Sequence, residues 1–267
     1  MGNTSQFIKH SLTNSSEVLL TFINMSESAF LKAEWRNLVL VNYEFDPAVL
    51  QNYLPAHTEL DTFNNIHYIS LVGFLFKDTR VKGVIVPFHR TFEEVNLRFY
   101  IKYNDHGKWK RGVAFIKEIV PKKLVAMVAN KIFGENYRAC KMRHQWFNSS
   151  PEKLSVEYMW KDKGDWNWIA ASAESKSHFP KPETEENFIC EHFWGYTRGK
   201  NTTTEYEVHH PTWRLHKVTH CDTHCDFARE YGKDFALLNT TKPISVFLAE
   251  GSEISVGSKR VIEMVTV

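Results

Sequence analysis

From Phe30 onward the chain is a succession of short runs rich in Val, Ile, Phe, Tyr and Trp, broken by turn residues and only briefly by helical patterns. Evenly spaced short strands of this kind build an antiparallel sandwich or barrel. A parallel βαβ fold needs a crossover of roughly a dozen residues or more between strands, usually a helix, and that rhythm is absent. The alternation predicts strands over 38–43, 67–76, 84–88, 95–103, 111–119, 137–147, 154–160, 166–174, 188–197, 205–209, 213–218, 244–249 and 260–265. Asn104-Asp105-His106-Gly107, Lys163-Gly164 and Arg198-Gly199-Lys200-Asn201 carry hairpin-turn chemistry.

Three helices interrupt the strands. Asp46 caps 47–53, with Pro47 at the first position, where its missing N–H does no harm. Pro121 opens a second, in which Leu124, Val125, Val128, Ala129 and Ile132 share a face and Gly134 stops the run. The third spans 222–231, from Asp222 as N-cap to Gly232 as stop. The Lys-, Pro- and Glu-rich stretch 176–186 reads as an exposed loop.

With 267 residues and 43% hydrophobic content the chain can bury one large core, so residues 28–267 are expected to form a single β domain. Residues 1–27 are polar and read as a weakly ordered extension, with Met25 as an alternative start. The net charge of +2 is spread along the chain, which points away from nucleic acid. No apolar stretch reaches the length of a spanning helix and no basic-then-apolar leader opens the chain, so no membrane contact and a cytoplasmic location are expected. Whether identical copies assemble into a homo-oligomer stays open.

Cys140, Cys190, Cys221 and Cys225 form no paired framework, which suits a reducing compartment. His220, Cys221, His224 and Cys225 invite a zinc reading, but six residues wrap a tetrahedron poorly and no second cluster lies nearby; no metal and no cofactor are expected.

Period-2 geometry in the run 94–101 sends Val95, Leu97, Phe99 and Ile101 to one face and Glu94, Asn96, Arg98 and Tyr100 to the other. A carboxylate, an amide and a guanidinium in register suit a small acid, gripped by Arg98 and exchanging a proton with Glu94. The plain alternative is a solvent face with a cross-strand ion pair. A second cluster, Glu191 to Tyr196 followed by Tyr206 to Trp213 with His209-His210 inside it, mixes polar and aromatic groups as a cavity border does, although a histidine is more often structural. Lys122-Lys123 resembles the paired lysines that make Schiff bases, but it lies in an exposed first helical turn.

Ala33-Glu34-Trp35-Arg36-Asn37-Leu38, Asp46-Pro47, Tyr53-Leu54-Pro55, Glu94 to Arg98, Arg111-Gly112-Val113-Ala114-Phe115, Tyr137-Arg138-Ala139 and His209-His210-Pro211 together resemble the YqjF-like family, domain of unknown function 2071. That family is similar to acetoacetate decarboxylase, which implies a large antiparallel β structure around a buried cavity. Arg36 matches an arginine of the decarboxylases, and Glu94, or Glu93 by a one-residue slip, matches a glutamate of theirs. Aligned on 131–138, their Schiff-base lysine and its neighbour fall on Tyr137 and Arg138. Arginine stays protonated and forms no imine, so the resemblance carries over a cavity without that nucleophile.

The expectation is therefore a cavity protein for a small organic acid or carbonyl compound. Arg36, Arg98 and Arg138 are its anion contacts, Asn96, Glu191 and Tyr196 its other ligand contacts, and Glu94, Tyr137 and His210 its proton-transfer groups. Catalysis would make it a cofactor-free lyase, hydratase or isomerase. A non-catalytic sensor or carrier, and an interaction scaffold, are the alternatives.

Overall fold

The computed structural model describes residues 29–85, 87–200 and 202–262. The expected extension over 1–27, the alternative start at Met25 and the end of the last expected strand lie outside the described residues.

The strands are β1 (Leu31–Glu44), β2 (Thr58–Leu60), β3 (Thr62–Phe63), β4 (Ile66–Val81), β5 (Val84–Ile85), β6 (Phe92–Asp105), β7 (Lys108–Val120) and β8 (Tyr137–Ala139). They continue as β9 (Met142–Ser150), β10 (Lys153–Asp162), β11 (Asp165–His178), β12 (Trp194–Arg198), β13 (Thr203–His209), β14 (Leu215–His224), β15 (Ser245–Val256) and β16 (Arg260–Ile262). Most pair antiparallel in one sheet whose order runs β16-β13-β12-β7-β6-β4-β1-β15-β14-β11-β10-β9, while β8 and β12 lie parallel to β7. The helices are α1 (Pro47–Leu50), α2 (Lys123–Phe133), α3 (Glu185–Cys190) and α4 (Phe227–Tyr231). Mostly β, broadly a barrel or sandwich: the fold class read from the sequence holds.

Asp46 caps α1, its carboxylate accepting from the Ala48 N–H at 2.8 Å, and Gly134 ends α2 at φ 74°, where only glycine is unstrained. Local expectations fail at several points: residues 176–178 extend β11 instead of forming a loop, and residues 140–141 break the strand expected over 137–147. Residues 188–190 are helical, because Thr184 accepts from the Asn187 N–H and starts a helix that buries Phe188, Ile189 and Cys190. Asp222 is no cap: β14 runs through it, its carboxylate takes the Trp168 indole N–H, and Asp226 caps the short α4 instead. Cys221 and Cys225 pack against the core, and His224 stacks on Trp168.

The central strands are buried on both faces. Val39, Leu71, Leu97 and Phe99 look into a core closed by Tyr158, Trp160 and Ile169 of the β10–β11 half of the sheet and by Phe227 of α4. Leu40, Val72, Phe74 and Tyr100 look into a second core covered by Ala126 of α2 and Phe188 and Ile189 of α3.

Bulges decide which residues share a face. On β1 the register slips between Arg36 and Val39, where Asn37 adopts φ 55°, so Trp35 and Leu38, three apart, both look toward the second core. Gly251 pairs with Arg36 there at φ 78°, and a Cβ on it would stand 2.0 Å from the Trp35 carbonyl oxygen. On β7 the extra residue is Ile116: Leu97 pairs with Lys117 and Arg98 with Phe115. Phe115 and Glu118 are thereby brought to one face.

Candidate functional site

The second core is incompletely filled. A cavity of about 270 Å³ lies between the β1-β4-β6-β7 wall and the apolar face of α2, from which Leu124, Val125, Val128 and Ala129 line it. Small-molecule sites typically start near 300 Å³, so the volume suits a metabolite.

The wall is polarised across the sheet. Trp35 from β1 and Phe74 from β4 make an aromatic side, with ring centroids 5.2 Å apart, joined by Trp213 and its stacked neighbour His210 at 4.1 Å. Glu118 from β7, Tyr137 from β8, Tyr206 from β13 and Glu135 make the opposite side. Between them β6 contributes Glu94, Asn96 and Arg98, which are 3%, 1% and 9% exposed. The polar face of this strand is thus buried, and the solvent-face alternative fails: in a sheet covered on both sides, alternation separates two interiors.

Two of the carboxyls are each held by a tyrosine hydroxyl. Asn96 Nδ2 donates to Glu94 Oε1 at 3.0 Å, the Tyr137 hydroxyl donates to Glu94 Oε2 at 3.0 Å, and the Tyr206 hydroxyl donates to Glu135 Oε1 at 2.8 Å. Glu118 lies beside them, close enough to Glu135 and Glu94 for their charges to act on its carboxyl. Asn136 fastens this arrangement to the bulge, its side-chain amide donating to the Ile116 carbonyl at 2.8 Å and its carbonyl accepting from the Glu118 N–H.

Burial raises all three carboxyls. Glu94 reaches about 7, desolvation outweighing the hydrogen bonds from Asn96 and Tyr137. Glu135 also reaches about 7 through desolvation. Glu118 is also raised well above the ordinary carboxyl range, by burial and then by the charges of Glu135 and Glu94. Burial likewise keeps the Tyr137 and Tyr206 hydroxyls protonated.

Arg98 supplies the positive charge. No carboxylate is ion-paired to it among the described residues, its guanidinium lies 5.7 Å from the Tyr100 ring centroid, and its Nε has no hydrogen-bond partner. His192 and His210 both line the cavity, each held down to about 4 by burial and so neutral at pH 7. His192 Nε2 donates to Asp61 at 3.2 Å; Asp61 is itself ion-paired to Arg111, and its carboxyl is held below the usual range by the hydrogen bonds from His192 and Arg111.

The structure therefore brings together Glu94, Asn96, Arg98, Tyr137 and His210 of the residues singled out in the sequence. It does not bring Arg36, Arg138, Glu191 or Tyr196 to the cavity, and in each strand the reason is parity. Trp35 faces the cavity, so Arg36 faces away and donates to Glu34 at 2.8 Å. Tyr137 faces in, so Arg138 faces the first core and pairs with Glu230, Nε to Oε1 at 3.1 Å. Gly195 lines the cavity, and Tyr196 packs in the first core with its hydroxyl directed at the Lys110 carbonyl. Glu191 accepts from the Thr212 hydroxyl at 2.6 Å outside the cavity. Unforeseen are Glu118, Glu135, His192 and Tyr206. His192 and Tyr206 carried a signal, as parts of the mixed polar-aromatic segments.

The family model for DUF2071, described as an uncharacterized conserved protein, matches residues 32–253. The chain belongs to the DUF2071 family. It is 26% identical over 189 residues to the uncharacterized protein YqjF of Bacillus subtilis (strain 168), covering 69% of this chain and 74% of that one. Its fold is similar to acetoacetate decarboxylase from Legionella pneumophila, with a TM-score of 0.62, 14% identity and 90% of each chain covered. An acetoacetate decarboxylase-like enzyme from Sphingomonas wittichii RW1 superposes with a TM-score of 0.62 at 12% identity, over 89% of this chain and 94% of that one. The enduracididine biosynthesis enzyme MppR, complexed with pyruvate, does so with a TM-score of 0.61 at 12% identity, over 86% and 90%. In this DUF2071 member no lysine is among the described residues that line the cavity. No helix among the described residues is long and apolar enough to cross a membrane.

Proposed function

We propose that this DUF2071 protein binds a small organic acid or carbonyl compound in the cavity, with Arg98 as the anion contact, and moves a proton on it through Glu94. The observation that carries this reading is Arg98 itself, a buried guanidinium on the cavity wall that has, among the described residues, no carboxylate partner and an unused Nε–H. A buried charge is costly unless paired, and a bound carboxylate or polarised carbonyl supplies the pair. MppR, of similar fold, is complexed with pyruvate, which is itself a keto acid.

Proton transfer is supported by Glu94, whose carboxyl is raised to about 7 and therefore exists in both forms near neutrality. Tyr137 orients it, and Asn96 fixes its other oxygen. The reaction class is a cofactor-free lyase, hydratase or isomerase, because Tyr137 stands where the decarboxylase pattern has its imine-forming lysine. An interaction scaffold would present the β6 polar face to solvent, the opposite of its burial here.

The test is a thermal-shift and calorimetric survey of small carboxylic and keto acids on the wild-type protein and on Arg98→Ala. Stabilisation that disappears in the variant supports the assignment; stabilisation that survives refutes it. Glu94→Gln then separates an enzyme, which loses turnover at nearly unchanged affinity, from a sensor or carrier, in which only affinity changes.

A further inference from the structure

The acid-binding reading leaves part of the cavity's polar chemistry unused. Six buried atoms of its lining residues lack a hydrogen-bond partner among the described residues; Trp35 Nε1 on β1 and Thr79 Oγ1 on β4 are two of them, and outside those two strands there are four: Arg98 Nε, Asn96 Oδ1, Glu118 Oε2 and His192 Nδ1. Of these four, the first is a donor and calls for the carboxylate already assigned to it. The other three are acceptors. Asn96 has spent an amide N–H on Glu94, which leaves its carbonyl oxygen open. Neutral His192 gives its Nε2 proton to Asp61, which leaves a lone pair on Nδ1.

Their placement is ordered. Asn96 and Glu118 are direct cross-strand partners, and Arg98 follows Asn96 on the same face two residues on, about 7 Å along the strand. The acceptors also lie among three buried carboxyls, Glu94, Glu118 and Glu135, that form no ion pair with a Lys, Arg or His among the described residues. A ligand hydroxyl would bring one proton to these acceptors and no charge. An ammonium brings three protons and the cation that the carboxyls lack.

Building on the acid-binding reading, we infer that the ligand is a zwitterionic amino acid with a bulky apolar side chain: its carboxylate on Arg98, its ammonium between Asn96 and Glu118, and its side chain against Trp35, Phe74 and Trp213. The division of the wall into an aromatic β1–β4 side and a carboxyl β7–β8 side accommodates such a molecule lengthwise across β6. Because the ammonium favours ionised carboxyls, binding expels protons from the Glu94, Glu118 and Glu135 cluster.

Isothermal titration calorimetry of the full chain with phenylalanine, 3-phenylpropanoate and phenethylamine tests this directly. Phenylalanine is expected to bind about tenfold or more tighter than 3-phenylpropanoate, the worth of charge-assisted hydrogen bonds to the amine. Its apparent enthalpy at pH 7 is expected to differ between phosphate and Tris, reporting net proton release. Glu118→Gln is expected to shrink the preference for phenylalanine to roughly threefold or less while 3-phenylpropanoate binds as before. Equal affinity of the wild type for phenylalanine and 3-phenylpropanoate overturns the amino-acid inference and leaves acid binding standing. Phenethylamine binding as tightly as phenylalanine, unaffected by Arg98→Ala, strikes the acid reading itself. Binding of none of the three overturns the inference, and since these comparisons use the wild type they do not depend on the folding of Glu118→Gln.

Discussion

Replacing Glu94 by Gln should stabilise the protein in alkaline solution and leave it nearly unchanged in acid. In the folded chain the Glu94 carboxyl titrates at about 7 rather than the 4.5 of an unperturbed glutamate, because burial disfavours its charge. Below about pH 4.5 the group is protonated in both folded and unfolded chains and costs nothing. As pH rises from 4.5 toward 7 the unfolded chain loses its proton first, so folding stability drains away, and above 7 the full penalty remains. A displacement of about 2.5 units at roughly 1.4 kcal/mol per unit amounts to ~3 kcal/mol. Gln preserves the local bonding: its carbonyl accepts from Asn96 Nδ2, and its amide donates to the Tyr137 hydroxyl oxygen, which now acts as acceptor. Urea unfolding at pH 4, 6 and 8, monitored by tryptophan fluorescence, measures the difference between wild type and variant at each pH. A variant equally stable at pH 4 and about 3 kcal/mol more stable at pH 8 fits the burial argument. A difference that is constant across the series, or a variant that loses stability at pH 8, refutes it.

The buried histidines act in the opposite direction. Each is neutral down to about pH 4 when folded but protonates near 6.5 when unfolded, so stability falls as pH drops through that window; His210→Phe, which keeps the stack on Trp213, should flatten the acid limb of a melting-temperature profile. Gly251→Ala should cost roughly 2 kcal/mol or more in denaturant unfolding, since the residue lies at φ 78° and its new Cβ would overlap the Trp35 carbonyl across the β1 bulge. Arg138→Ala should destabilise by roughly 1–3 kcal/mol, because Glu230 is buried and Lys117 alone remains beside it, while ligand affinity stays within twofold of wild type by calorimetry.

Much of the site was legible because a strand's period is two. Glu94, Asn96 and Arg98 alternate with Val95 and Leu97 over an unbroken stretch, so their common face follows from spacing alone. The same rule misleads wherever a bulge breaks the count. Glu118 shares its parity with Ala114 and Ile116, which face the first core, and only the extra residue at Ile116 turns it into the cavity. Arg36 and Arg138 matched or adjoined positions of a family pattern, yet each is next to an aromatic residue that faces in, and alternation then sends the arginine out.

The sequence by itself determined a mostly β chain, the caps at Asp46 and Gly134, the amphipathic α2, the family, and the polar face of β6. These rest on local physics: side-chain alternation, turn and cap chemistry, and helical periodicity, all written within a few residues of one another. Tertiary structure decided that this polar face is enclosed, that Glu118, Glu135, Tyr206 and His192 gather around it from four further segments, and that Arg98 has no carboxylate partner among the described residues. Those facts depend on strand order and register across a sheet that places β7 between β6 and β12, and on which residues a bulge displaces. Burial, and with it the raised carboxyls that make the site chemically interesting, is a property of what covers a residue, and the covering elements are distant in sequence.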